Sequence, residues 1–167
     1  MTMSAGDRAK RIEQYAEGPE HLRQALNRVP DGIVKWRPGP GKWSVHEIVC
    51  HCADSEANAY ARLRYLLAEK DPLIVGYDQD QWAKVFDYHA LPMEAALDMV
   101  AAVRASTTAL LQGLADDAWT KTGRHSESGE YSVEKWLKIY ADHVDGHARQ
   151  IDRNVDAWQG AGGRASA

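Results

Sequence analysis

The sequence predicts an all-α fold, a four-helix bundle with long irregular connections. Apolar residues recur at helical spacing in four separate stretches, and no stretch alternates with the period of two that a half-buried strand needs. Segments rich in Gly, Pro and polar residues divide the helical stretches. A chain of 167 residues can bury a real core in one domain. That domain is expected over 1–159, with a mobile Gly-Ala tail over 160–167.

The first helix is expected from Asp7 to Arg28, with a kink or a split at Gly18-Pro19, because proline suits the first turn of a helix and not its middle. Pro30 to Gly41 must form a loop. Ser44 opens the second helix through a capping box with Glu47. Its inner face reads Ile48, Cys52, Ser55, Ala59, Leu63 and Leu66, and its outer face carries His46, Cys50 and Arg64. From Asp71 to Pro92 the pattern lapses, apart from a short helical stretch near Asp80 to Phe86. A connection this long in a bundle either serves the site or covers it.

The third helix, Met93 to Leu114, presents Met93, Leu97, Val100 and Leu111. Arg104 falls on that apolar face, where it either meets an anionic substrate or snorkels to solvent. Ala115 to Tyr131 is irregular. The fourth helix starts near Ser132, and its inner face reads Val133, Trp136, Leu137, Tyr140, Val144 and Ile151.

Composition narrows the function classes. The net charge is −4 and the basic residues are scattered, which argues against a nucleic-acid partner. No apolar run approaches the roughly 18–20 residues that cross a bilayer, and Met1 to Lys10 lacks the apolar core of a signal peptide. No membrane partner and a cytoplasmic location are therefore expected. Cys50 and Cys52 lie about 200° apart around a helix, so they cannot bridge and are expected as reduced thiols, Cys52 as a small core residue. Six Trp and seven Tyr beside one Phe give rings with polar handles, suited to a core interrupted by a polar cavity.

The histidines carry the chemistry. His143 and His147 are four apart and share one helix face, close enough for both imidazoles to reach one ion at about 2.1 Å. They fall within the buried stripe of the fourth helix, and His51 falls between Ile48 and Ser55 on that of the second. Three interior histidines either are separate core residues, each hydrogen-bonded, or converge on one metal ion. Gly146 between two of them costs roughly 1 kcal/mol against Ala. It either admits a close helix or has no packing reason.

The segment Trp43 to Glu56, reading W-S-V-H-E-I-V-C-H-C-A-D-S-E, resembles the second-helix signature of the DinB/YfiT-like superfamily. The closing run from His143 through His147 to Gln150-Ile151 is similar to the family's final H-x-x-x-H-x-x-Q-I. Arg124 to Gly129 resembles the R-x-H-P-E-x-G turn of the YfiT-like branch, with Ser126 in place of Pro. Gly18-Pro19-x-x-Leu22 and Tyr77-Asp78-x-Asp80-x-Trp82 also fit that branch.

The resemblance covers roughly 7–152 and implies a four-helix bundle with one divalent ion, zinc or nickel, on His51, His143 and His147. It implies a hydrolase, or a transferase using a low-molecular-weight thiol as cosubstrate, acting on a small molecule. The alternative is a metal-dependent binding or stress-response module without turnover. No general base stands out. Asp54 lies about 60° off the His51 face and is either a partner for an imidazole N–H or a solvated carboxylate. Tyr77, Asp80 and Tyr88 either line the pocket or pack the long loop, and His125 reads as a turn or rim residue. A homodimer is expected, with Trp136 or Trp158 near its edge.

Overall fold

The computed structural model describes residues 3–162. The expected all-α bundle is present. Its four long helices are α1 (Ala5–Leu26), α2 (Val45–Ala68), α4 (Met93–Gln112) and α5 (Val133–Gly160), with a short α3 (Gln79–Val85) in the long connection. Residues 163–167 of the expected tail lie outside the described residues.

Cross-helix contacts fix the directions. Trp136 donates its indole N–H to the Ala59 carbonyl, while His143 and His147 lie opposite His51, so α2 and α5 are antiparallel. Arg11–Asp142 and Arg28–Asp152 pairs run α1 alongside α5 in the same direction. Arg23 pairs with Asp98 and Arg104 reaches Tyr15, so α4 opposes α1 and runs parallel to α2. Two adjacent parallel helices cannot be joined by a short turn. The chain after α2 must return along the bundle before α4 can begin, which accounts for the long connection at 69–92.

That return covers the α2 face expected to be exposed. Cys50 donates its thiol to the Tyr88 carbonyl at 3.6 Å, and His46 bonds the Leu91 carbonyl through Nε2 at 2.8 Å. Both residues are buried, which corrects the outer-face expectation for them; periodicity reports how many faces of a helix are apolar, not which loop will lie on a polar one. The irregular segment before α5 also holds structure. β2 (Thr122–His125) and β3 (Gly129–Ser132) form an antiparallel hairpin, and β1 (Leu73–Ile74) joins β2 in parallel. Strands of two to four residues are too short for alternation to reveal.

Gly18 and Pro19 have a shared cause that differs from a split. α1 continues through them. Pro19 has no N–H for the Tyr15 carbonyl four residues back, and Arg104 supplies the donor instead, Nη1 to that oxygen at 2.7 Å. A Cβ at position 18 would stand 2.1 Å from the same Nη1, so only glycine leaves room. Arg104 itself is fully buried. Its Nε and Nη2 bond Glu56 Oε1 at 2.8 and 2.7 Å, and Nη2 also bonds the Tyr140 carbonyl at 2.7 Å. The Tyr15 hydroxyl donates to the other Glu56 oxygen at 2.9 Å. Arg104 therefore neither snorkels nor faces a ligand; it ties α1, α2 and α5 together from α4. Trp136 is also fully buried, so it does not stand at an exposed edge, whereas Trp158 is half-buried.

Candidate metal centre

The capping box at Ser44 starts α2 with both of its hydrogen bonds present. His51 then falls two turns in, on the face toward α5, where His143 and His147 stand one turn apart. The structure brings all three sequence-predicted histidines together. His51 Nε2 and His147 Nε2 each lie 3.3 Å from His143 Nε2, and one ligand atom from each ring falls within 4.8 Å of the others. Among the described residues this is the cluster of three or more ligating side chains with metal-holding geometry.

The spacing fits a shared ion. Ligands at about 2.1 Å in tetrahedral directions stand about 3.4 Å from one another. Three imidazoles can hold that arrangement only if their Nε2 lone pairs are free, which requires neutral rings. Burial, reinforced by His147, lowers His51 to about 3. Burial and the two neighbouring imidazoles hold His143 well below the usual histidine value, and burial lowers His147 despite its bond to Gln150. Without a common partner, two of these nitrogens would crowd the one on His143, which can share a proton with only one neighbour at a time.

The surroundings orient the rings unevenly. Gln150, three residues after His147, accepts the His147 Nδ1–H at its Oε1 at 2.9 Å. Trp43 packs on His51 and His147 with centroids 4.6 and 6.4 Å away. Nδ1 of His51 and of His143 are buried without a partner. Gly146 meets no packed neighbour, and nothing in the structure explains its choice.

The remaining expectations separate. Asp54 is neither a partner for a ligand imidazole nor a solvated carboxylate; it accepts from the buried Tyr88 hydroxyl. Tyr88 thus packs the connection against α2. His125 ends β2 and accepts the Glu127 and Ser128 amide protons at its Nδ1, a turn role. Asp80 lines a cavity of about 240 Å³ beside His147 and Gln150, and a neighbouring cavity of about 470 Å³ that shares Gly41, Lys42 and Trp43 with it. Cys52 is a core residue as expected, and burial pushes its thiol up.

Two residues near the cluster escaped the sequence. Ser55 reads from its spacing only as an inner-face residue, yet its Oγ lies 3.4 Å from His143 Nε2. Arg62 bonds the Tyr140 hydroxyl at 2.9 Å from the same α2 face. The available signal was spacing: Arg62 lies eleven residues, or about three turns, beyond His51.

A helical bundle with three converging interior imidazoles defines the class, a bundle protein with a three-histidine candidate metal centre. The chain belongs to the DinB superfamily, whose family model matches residues 14–151. It is 38% identical over 111 residues to the Oceanobacillus iheyensis protein named "Putative metal-dependent hydrolase OB0782", a match covering 66% of this chain and 64% of that protein. It is 30% identical over 142 residues to a Bacillus mycoides protein with the same functional name, covering 85% of this chain and 82% of the other. Its structure is similar to that of YfiT from Bacillus subtilis, with a TM-score of 0.86 and 26% identity, covering 96% of this chain and 91% of that one. YfiT is described as "a probable metal-dependent hydrolase with an unusual four-helix bundle topology".

Proposed function

We propose that this chain is a metal-dependent enzyme of hydrolytic type, acting on a small molecule at one divalent ion held by His51, His143 and His147. The observation that carries the reading is the convergence of three neutral imidazole Nε2 atoms at the spacing one ion requires. Three protein ligands of this kind leave a position open, as catalytic rather than structural sites do. When bound, the ion supplies Lewis-acid chemistry, polarising a substrate oxygen and acidifying a water or thiol toward neutral pH.

The chain's own residues do the rest. Gln150 fixes the His147 ring and its tautomer, and Trp43 shields one side of the cluster from water. The cavity beside His147 admits a small molecule, and the adjoining one admits its remainder. The names of the relatives favour hydrolysis, with water as the attacking group. The same acidifying chemistry would serve a low-molecular-weight thiol, giving an S-conjugate. Imidazole donors suit zinc and nickel.

The test is metal analysis of the purified protein, then turnover of ester, amide and electrophile panels with and without added thiols. Turnover lost on chelation and restored by zinc or nickel supports the enzyme. Tight metal binding with no turnover across the panels would establish the binding module instead.

A further inference from the structure

We infer that the hydroxyls of Ser55 and Tyr77, backed by the Arg62 guanidinium, form a subsite beside the histidine cluster for an acceptor oxygen of the substrate, carbonyl or phosphoryl. The inference rests on the metal reading above and concerns what binds next to the ion.

Ser55 follows His51 by one turn of α2 and shares its face. It is 5% exposed, its Oγ lies 3.4 Å from His143 Nε2, and its hydroxyl pairs with that of Tyr77. That nitrogen's lone pair belongs to the cluster, and the Ser55–Tyr77 pair spends one of its two O–H protons internally, so the other is left to donate to a ligand. Tyr77, on the returning connection, lies within hydrogen-bonding reach of Ser55. Burial pushes its phenol up to about 12, so it stays protonated and either hydroxyl of the pair can be the donor. Arg62 sits behind this pair, its guanidinium 5.7 Å from the Tyr77 ring centroid.

The partners of Arg62 are all neutral. It donates to the Tyr140 hydroxyl at 2.9 Å and to the Val75 carbonyl at 2.6 Å, and among the described residues it has no carboxylate partner. The buried Arg104 has Glu56 and the half-buried Arg8 has Glu134 and Asp116, whereas the half-buried Arg64 bonds its own helix at the Tyr60 carbonyl and lies over the Tyr60 ring, away from the cluster. A half-buried cation held by neutral groups, behind the Ser55–Tyr77 pair, adds a positive field to the pair's remaining donor. Such a donor set takes an oxygen that gains negative charge.

The experiment uses protein loaded with Co(II), whose visible absorption reports its ligands, titrated with acetate as an oxygen-donor probe. Ser55→Ala and Tyr77→Phe, which keep the packing nearly unchanged, should each weaken acetate binding about tenfold, the loss of one hydrogen bond to a charged group. Arg62→Met should weaken it at least as much, with partial recovery in Arg62→Lys. Co(II) affinity should stay within about threefold of the wild type in all of them. Acetate affinities equal to the wild type, no acetate effect on the wild-type spectrum, or losses that track Co(II) affinity would each overturn the subsite. A wild-type protein that takes up no Co(II) refutes the metal reading itself, a failure distinct from the first three.

Discussion

His51, His143 and His147 owe their readiness as ligands to burial. An unfolded chain binds protons on these rings near pH 6.5, and the fold does not, because burial and neighbouring imidazoles depress all three. The unfolded state therefore gains protons first as pH falls, and the metal-free fold loses stability below about 6.5. The loss should be on the order of 1 kcal/mol per histidine per pH unit at the start of that window. Denaturant unfolding in chelator at pH 7.5 and 5.5 checks it, and equal stabilities would contradict it. In the folded protein the same depression moves the loss of metal by imidazole protonation to below pH 6.5, lower than the free side chain would give. Cys52→Ser should leave metal binding intact, since the thiol is buried among Ile48, Val100 and Val144 and does not join the cluster. The three histidines were legible because each lies on an apolar stripe where an imidazole is out of place. Ser55 and Arg62 were not, because a small polar residue and a long cation are ordinary on a helix until the fold shows what faces them.

At the scale of elements, the Arg104–Glu56 pair is where helix reading stopped short. Each residue lies on an apolar face, Glu56 one turn after Cys52 and Arg104 one turn after Val100. Opposite charges on two apolar stripes are a pairing signal, but one sequence cannot say which faces meet. The same limit hid the role of Gly18-Pro19, which makes sense only once Arg104 arrives from another helix. Arg104→Met leaves Glu56 buried without its partner and should cost about 3–5 kcal/mol in unfolding free energy. Adding Glu56→Leu should recover a large share of that, because the stranded charge is gone. Denaturant midpoints of the single and double variants check this, and a double variant no more stable than Arg104→Met would contradict it. Gly18→Ala should destabilise rather than improve α1, against helix propensity, because its methyl would displace the guanidinium.

For the whole molecule, four helices were readable from periodicity, and their order in space was not. Two parallel neighbours, α2 and α4, force the 69–92 return, and that return buries His46 and Cys50 while it brings Tyr77 toward the site. The long connection thus covers α2, and its Asp80 lines the cavity beside His147, which its length alone left open. Among the described residues no helix is long and apolar enough to cross a membrane.

The central claim is that one ion joins α2 to α5, so it should stabilise the fold by mass action. With free metal a hundredfold above Kd the gain is about 2.7 kcal/mol. For a domain of this size it should raise the melting temperature by about 6–10 °C. The measurement is a thermal melt of the wild type and of His51→Ala, His143→Ala and His147→Ala, each with zinc or nickel and with chelator. The account predicts the gain in the wild type, its loss on chelation, and its near absence in all three variants. If the three substitutions lower the melting temperature equally with and without chelator, the histidines are packing residues and the metal reading is wrong.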